Sequence, residues 1–385
     1  MITSLFLGSG VSLASQLGFE DAVFPELAIS GRALALGGAY NAKVDDSAAP
    51  FYNPAGLGTV RGFKFHLSNL HIETNMGWMK VATGGKLTDT FTNLPQALRL
   101  DRQRSYLNEN PDNTTSTRYQ FVPNMTGRFF SAGALLSRKT RMRVKSTPET
   151  SVCASKCVEF VDRVDYGIYG AMNLSLFGGV IKAGVTANYL IRTEIDSTGD
   201  AGEGLNIETK EDQYFYYRKG SAVILTGGAK LTLPITWLPI FSATIHNATG
   251  KKFTTTHTTC RTKDDSGTCA PDVIKTSIDA GFSVTPKIGS KTWMNIEVNY
   301  KDVTNQYEIP VIRRVLVGVE LDFARAFFLR FGYGDSYGTA GLGFKSKTVD
   351  FDLTTYSVNT DPTSTKIRGD EDRRVSFTLS TGLGF

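Results

Sequence analysis

The sequence predicts an all-β fold: a transmembrane antiparallel β-barrel of about 14 strands with an N-terminal plug in its lumen. Three observations lead there. The chain of 385 residues carries 38 Gly, 24 Phe and 15 Tyr, the composition of a β protein. From residue 61 onward, segments of about ten residues alternate apolar with polar or small side chains. The connections between those segments alternate in length.

Composition excludes other classes. Hydrophobic residues make up 41% and charged residues 21%, which fits neither a disordered chain nor a coiled coil. No stretch approaches the roughly 18 uninterrupted apolar residues of a spanning helix. The longest candidate, Ser221–Ile245, is broken by Lys230, Pro234 and Pro239. Net charge is +5, from 42 basic and 37 acidic residues with no basic block, so no nucleic-acid partner is indicated.

Residues 1–15 read as the remnant of an export signal. Leu5-Phe6-Leu7 and Val11-Ser12-Leu13-Ala14 supply an apolar stretch and small residues, although no Lys or Arg precedes them. Residues 16–60 form the expected plug or hatch. Gly31–Val60 is rich in Gly and Ala, is broken by Pro50 and Pro54, and shows neither strand alternation nor a helical stripe. Residues 61–385 form the barrel.

The last strand shows the alternation best. Val375, Phe377, Leu379, Thr381, Leu383 and Phe385 share one parity, and Arg374, Ser376, Thr378, Ser380, Gly382 and Gly384 the other. Side chains of a strand alternate faces, so this segment has one greasy face and one polar face. Segments near 181–192, 294–301, 314–323 and 327–333 repeat the pattern. Leu190, Leu316 and Phe328 break it, each an apolar residue on the polar face.

A soluble sandwich also alternates, so the connections decide. Odd-numbered ones are mostly long and polar, at 73–116, 139–156, 194–218, 248–271 and 358–371, with shorter ones at 303–309 and 335–337. Even-numbered ones are all tight turns, such as Thr126-Gly127, Pro286 to Gly289, Arg325 and Lys347. Long loops at one end and short turns at the other mark an outer-membrane barrel, with the turns periplasmic. The first long loop contains Gln96–Asn108, which reads as a short helix over the mouth. Aromatics near strand ends, among them Trp237, Trp293, Tyr307, Phe327, Phe328, Tyr333 and Tyr337, suggest interfacial girdles.

Four cysteines, Cys153, Cys157, Cys260 and Cys269, fall in or beside the loops at 139–156 and 248–271. Their spacing is wrong for zinc, and only His257 lies near. Two local disulfides, Cys153–Cys157 and Cys260–Cys269, are expected at the cell exterior, although spacing alone leaves three connectivities open. No metal or cofactor is called for.

The run Gly31-Arg32-Ala33-Leu34-Ala35-Leu36-Gly37-Gly38-Ala39-Tyr40, followed by Asp45-Asp46 and then Phe51-Tyr52-Asn53-Pro54-Ala55-Gly56-Leu57, resembles the N-terminal signature of FadL-like outer-membrane proteins. Those include transporters of long-chain fatty acids and hydrocarbons, and PorV/PorQ-type barrels. The resemblance implies a plugged fourteen-stranded barrel, with Asn53, Pro54 and Ala55 at the hatch. Gly31, Arg32, Gly37, Gly38, Asp45, Asp46 and Gly56 complete the expected plug site. The arrangement Arg32 through Gly38 followed by Asp45-Asp46 looks closer to the PorV-like and uncharacterised members than to the fatty-acid transporters.

Enzyme chemistry has little support. Of four histidines, His66 and His246 have inward parity near Ser68 and Ser242, away from the lipid a lipid hydrolase would act on. Inward charges are mixed: Lys182, Lys230, Lys275, Asp279, Glu297, Arg314, Glu320, Asp322, Arg330, Lys345, Asp350 and Asp352. That balance reads as a paired network holding the plug rather than an ion-selective pore. Lys301, Glu308, Arg313 and Arg314 read as a solvated rim. Two functions follow as expectations. One is passive uptake of a hydrophobic ligand, such as a fatty acid or detergent, captured in an apolar pocket beneath the outer loops and released by the hatch. The other is a docking barrel that binds a surface or periplasmic protein. Either way the surrounding partner is outer-membrane lipid and lipopolysaccharide.

Overall fold

The computed structural model describes residues 21, 27–83, 99–111, 113–145, 157–200, 215–255, 270–360, 369 and 371–384, with backbone only at 197–200 and 215–217. Fourteen strands form one closed antiparallel sheet. In chain order they are β1 Lys64–Asn75, β2 Thr114–Phe121 continued by Asn124–Thr126, β3 Phe130–Lys145, β4 Cys157–Leu176 and β5 Ile181–Asp200. Then come β6 Phe215–Thr232, β7 Ile240–His246, β8 Ser277–Val284, β9 Thr292–Tyr300 and β10 Val315–Phe323. The ring ends with β11 Phe327–Gly334, β12 Tyr337–Lys345, β13 Val349–Asn359 and β14 Glu371–Gly384. Each pairs with the next, and β14 returns to β1 in a register from Lys64↔Gly384 to Asn75↔Arg374. That last pairing removes the open edge that lipid could not satisfy.

The barrel is inside out relative to a soluble protein. On the outer face Ile168, Met172 and Leu174 are each more than 60% exposed. Inward, Lys182, Asn188, Lys230, Glu297 and Arg330 are buried. An apolar band outside and a polar lumen inside is the outer-membrane arrangement, and the chain is a multi-pass barrel of that membrane. At the tight-turn rim Phe129, Phe177, Trp237, Phe327 and Phe344 are exposed, as an interfacial girdle requires. Trp293, with the inward parity of the buried Asn295 and Glu297, lines the lumen instead; Phe328 and Tyr337 do not join the girdle either. Both turn inward and are buried, and the Tyr337 hydroxyl donates to the Gly369 carbonyl at 2.9 Å.

One irregularity interrupts the ladder. The β1–β14 register shifts between His66 and Ser68, leaving Leu67 as a bulge that is 58% exposed. Opposite it, β2 breaks at Val122-Pro123, where proline offers no N–H to the ladder.

The strands β3 to β6 hold 16, 20, 20 and 18 residues, whereas a tilted strand crosses with about 9–11. Their loop-side halves therefore stand above the membrane. The first long loop carries helices α3 Met76–Thr83 and α4 Leu100–Glu109. The second lies where the sequence predicts a helix, but not over the mouth. Leu107 of α4 clusters with Met142, Val144, Val158 and Phe160. These four have the outward parity of Leu136 and Ile168, since Val158 pairs with Val144 and Phe160 with Met142. The helix lies on the outer wall, where the strands have risen out of lipid and their outward apolar residues need cover.

Two charge expectations are corrected. Lys275 is exposed outside the strands and donates to the Gln306 carbonyl at 2.8 Å. Arg313 and Arg314, the latter ending a short helix α5 Val311–Arg314, are no solvated rim. Arg313 and Asp335 form a 2.6 Å ion pair with both side chains at 0% exposure, because the loops fold over the lumen there.

Depth dependence tests this topology. Met172→Arg, in mid-wall on the outer face, is expected to destabilise the barrel by about 2–4 kcal/mol, and Phe177→Arg at the turn rim by about 0–1 kcal/mol. Guanidinium titration in lipid vesicles measures both, and equal effects would contradict the placement.

Candidate functional site

The plug forms where strand and helix patterns both lapse. Its first element, α1 Gly31–Ala35, has no side-chain cap, and the barrel wall supplies partners instead. Thr354 and Thr339 hydroxyls donate to the carbonyls of Gly31 (2.9 Å) and Ala35 (2.8 Å). Upstream, Gln120 makes a two-bond amide clasp with the Ile29 backbone, at 2.7 and 2.8 Å. The Asp21 carboxylate is clamped by Lys139 at 2.6 Å, by Arg374 at 2.8 and 3.1 Å, and by Arg141.

Past α1 the chain turns at Gly37, with φ +66°, a conformation glycine adopts without strain. Here plug and wall backbones nearly touch. A Cβ on Gly332 would overlap the Leu36 carbonyl carbon, and one on Gly334 the Gly37 carbonyl. The chain then hangs on β9, where the Glu297 carboxylate accepts the Ala42 and Lys43 amides at 2.6 and 3.0 Å.

Asn53 anchors the other end. It lies between α2 Ala49–Tyr52 and a 3₁₀ turn, Pro54–Thr59. Its Oδ1 accepts the Ala55 amide at 3.1 Å, and its Nδ2 donates to the Asn41 carbonyl (3.2 Å) and Oδ1 (2.9 Å). Asn41 Oδ1 also accepts the Thr244 hydroxyl of β7 at 2.7 Å. Asn53 is 0% exposed. The wall admits it only because Gly228 and Gly184 lack side chains; a Cβ at either would overlap Asn53 Oδ1 or Pro54. Gly56 presses on Val44 in the same way. Apolar packing completes the seal, with Leu36, Tyr40, Phe51 and Leu57 against Val122, Leu135, Tyr169 and Leu190. A second cluster joins Leu34 and Ala39 to Leu316 and Tyr356.

Arg32 is the electrostatic centre. It forks onto Glu320 with two 2.7 Å bonds and reaches Asp45 at 2.7 Å, Asp46 at 3.5 Å and the Tyr40 hydroxyl at 2.8 Å. Tyr40 donates to Asp46 at 2.5 Å. Arg330 binds the other side of Glu320 at 2.7 Å and passes on to Asp352 at 2.5 Å. Burial disfavours the charge on Asp45, but Arg32 outweighs it and holds the carboxyl well below its usual range. Burial, helped by the nearby Asp46 carboxylate, pushes the Tyr52 phenol up against the opposing pull of Ser30 and Arg118. The plug site residues thus form two groups, Gly31 to Asp46 around Arg32 and Asn53 to Gly56 on β5 and β6.

The plug divides two cavities. Below it, toward the tight turns, lies a cavity of about 380 Å³ with charged walls that include Arg32, Asp45, Asp46, Lys64, Arg330 and Asp350. Above it is a small cleft of about 40 Å³ between Phe51, Ile224, Ile274 and Ile309, with Lys301, Arg314, Asp279 and Asp302 also in its lining. The expected apolar pocket beneath the outer loops is therefore barely open.

The histidines do not meet the serines. His66 contacts Asn124 at 3.0 Å and His246 contacts Asp279 at 3.1 Å, while Ser68 bonds Thr381 and Ser242 bonds the Gly281 carbonyl. Among the cysteines, Cys157 opens β4 and carries no free thiol; Cys153, Cys260 and Cys269 lie outside the described residues, as does His257. Sequence reasoning missed the wall glycines as plug contacts. Their signal was available, since Gly184, Gly318 and Gly332 stand at inward parity where other positions carry polar side chains.

No protein-family model matches the sequence, and no curated protein does. Among solved structures the chain is similar to the Ralstonia pickettii toluene transporter TbuX, at 12% identity over 93% of this chain and 98% of that one, with TM-score 0.48. It is also similar to the Pseudomonas putida toluene transporter TodX, at 10% identity over 96% and 100%, with TM-score 0.43. A Pseudomonas aeruginosa FadL homologue matches at 11% identity over 95% and 100%, with TM-score 0.39.

Gly228→Val places a side chain where Asn53 sits. The barrel is expected to fold, because its ladder is untouched, but the anchor loses buried hydrogen bonds worth about 1–3 kcal/mol. Planar-bilayer recordings should then show channel currents that the parent lacks. Parent-like closure in a heat-modifiable, folded variant would contradict the cradle.

Proposed function

We propose that the chain is a passive outer-membrane conduit for hydrophobic compounds, long-chain fatty acids among them, gated by its luminal plug. The observation that carries this reading is the cleft above the plug, apolar on Phe51, Ile224, Ile274 and Ile309, with Lys301 and Arg314 and the carboxylates of Asp279 and Asp302 also in its lining. The apolar wall suits an acyl chain, and Arg314 is the group in the lining that would pair with a carboxylate head. A ligand-sized site needs about 300–1,000 Å³, so capture requires Phe51 and its neighbours to give way, which couples occupancy to the plug. Detergents of similar shape would compete. No catalytic step is assigned to the chain.

A second reading has its own support. The strands β3 to β6 rise well beyond the membrane and carry α4 on their outer wall, a stalk suited to holding a surface protein. For the staples, we propose Cys153–Cys157 and Cys260–Cys269, which non-reducing peptide mapping checks; a bridge between the two pairs would overturn that assignment.

Cells carrying the chain should take up labelled oleate faster than a deletion strain. Removing Gly31–Gly58 should leave a barrel that inserts but conducts ions in planar bilayers, with large, weakly selective currents. Oleate uptake equal with and without the chain, together with a co-purifying surface or periplasmic protein, would favour the docking reading. A full-length chain that already conducts like an open pore would remove the plug from the mechanism.

A further inference from the structure

We propose that the plug opens at Asp45–Ala48, that Arg32 is the latch, and that Asn53–Ala55 is a fixed anchor rather than the moving hatch. This deepens the gated-conduit reading and rests on it for its physiological meaning. The structural claim stands on four observations about where the plug is held.

Exposure singles out one stretch. Across Gly31–Gly58 every residue is buried except Lys43, Asp45, Asp46, Ser47 and Ala48. All five line the 380 Å³ cavity below the plug, so this partly exposed stretch has free space into which to move.

The segments on either side are fixed to the wall. Upstream, Gly37 sits against Gly332 and Gly334, and the Ala42 and Lys43 amides end on Glu297. Downstream, Asn53 and Pro54 sit in the notch made by Gly184 and Gly228. Moving Asn53 would break its buried bonds to Asn41 and Ala55 and void a tight backbone contact. Buried polar groups left without partners are costly.

Between them the Val44 carbonyl accepts Lys230 Nζ at 3.1 Å, but Asp45–Ala48 has no ion pair to the wall among the described residues. Asp45 and Asp46 make their ion pairs and side-chain bonds within the plug, to Arg32, Tyr40 and the Ala48 amide. Ser47 reaches the wall through one contact, Asn69 Nδ2 to Ser47 Oγ at 3.4 Å. The aspartates are therefore tied to the barrel through Arg32, whose fork on Glu320 is a wall contact. Charge-assisted bonds of this kind are strong when dry and exchange readily where water or another anion can enter.

Loss of the latch strands Asp45, whose ion pair is with Arg32 but whose side chain is 34% exposed to the cavity. In Arg32→Gln, Glu320 keeps Arg330 at 2.7 Å and Asp46 keeps the Tyr40 hydroxyl. The variant should fold, and Arg32→Lys, which retains one charge, should fall between it and the parent.

Maleimide labelling from the turn side tests the claim without reference to transport. Single cysteines are placed at Ser47 and, in a second protein, at Ala55, with and without Arg32→Gln, in barrels shown to be folded by heat modifiability. The Ser47 cysteine should label about tenfold faster in Arg32→Gln than in the parent, and the Ala55 cysteine should stay protected in both. Equal protection of Ser47 in both backgrounds, or labelling of Ala55 as fast as Ser47, overturns the proposal. Disulfide locks then link the segment to uptake. Joining Ser47→Cys to Asn69→Cys should block oleate entry reversibly with reductant, whereas joining Asn41→Cys to Thr244→Cys, whose parent side chains meet at 2.7 Å, should not. Blockage by the second lock and not the first overturns the assignment. If labelling behaves as stated and the parent takes up no oleate, the segment moves as proposed and the conduit reading is what fails.

Discussion

A backbone in hydrocarbon has no water to bond, so every strand N–H and carbonyl must find a protein partner. In this chain the pairing of β1 with β14 meets that demand by closing the ring. Much of the remaining structure follows from closure. A closed sheet has an inside and an outside, strand side chains alternate between them, and the outside is lipid. Met172 and Leu174 face outward while Asn173 between them is buried. The lumen inherits the polar half of each strand.

A polar lumen in a low-dielectric wall must pair its charges, because an uncompensated buried ion costs several kcal/mol. The pairing is extensive. Arg192 forks onto Asp165, Arg163 holds Glu194, and Arg218 spans Glu194 and Asp272 in the part of the barrel nearest the long loops. Lower down, Arg32 and Arg330 share Glu320. The plug enters this network as one more set of partners. It contributes Arg32, Asp45 and Asp46, and its backbone amides at Ala42 and Lys43 satisfy Glu297. Glycines on both surfaces then let backbone meet backbone, which makes the plug part of the wall's packing at two places and leaves it free between them.

Much of this architecture was legible because alternation is a strong local signal when one face must be greasy. The three residues that broke the rule are informative. Leu190 and Leu316 are apolar on the polar face because they pack on the plug, and Phe328 is covered by the Arg330 guanidinium, 5.0 Å from its ring centroid. What was not legible is non-local. The spacing places β4 at nearly its full length but ends β3, β5 and β6 early on the loop side, because there the strands leave lipid and outward positions no longer need to be apolar; Arg138 and Asp162 pair there instead. The position of α4 depends on Met142 and Val158 needing cover, which only the strand register reveals. The plug contacts depend on which wall glycines face Asn53 and Gly37, and no spacing in the sequence connects residues so far apart.

The account centres on a plug that is integral to the closed barrel, held at two anchors. Hydrogen–deuterium exchange of the full-length chain in lipid nanodiscs tests it most directly. The account predicts that plug amides of Leu34 to Lys43 and of Asn53, Ala55 and Gly56 exchange as slowly as those of β5 and β6, with faster exchange confined to Asp45–Ser47. Rapid exchange throughout Gly31–Gly58, beside slow exchange in the strands, would contradict it and leave the lumen with a loosely held tenant.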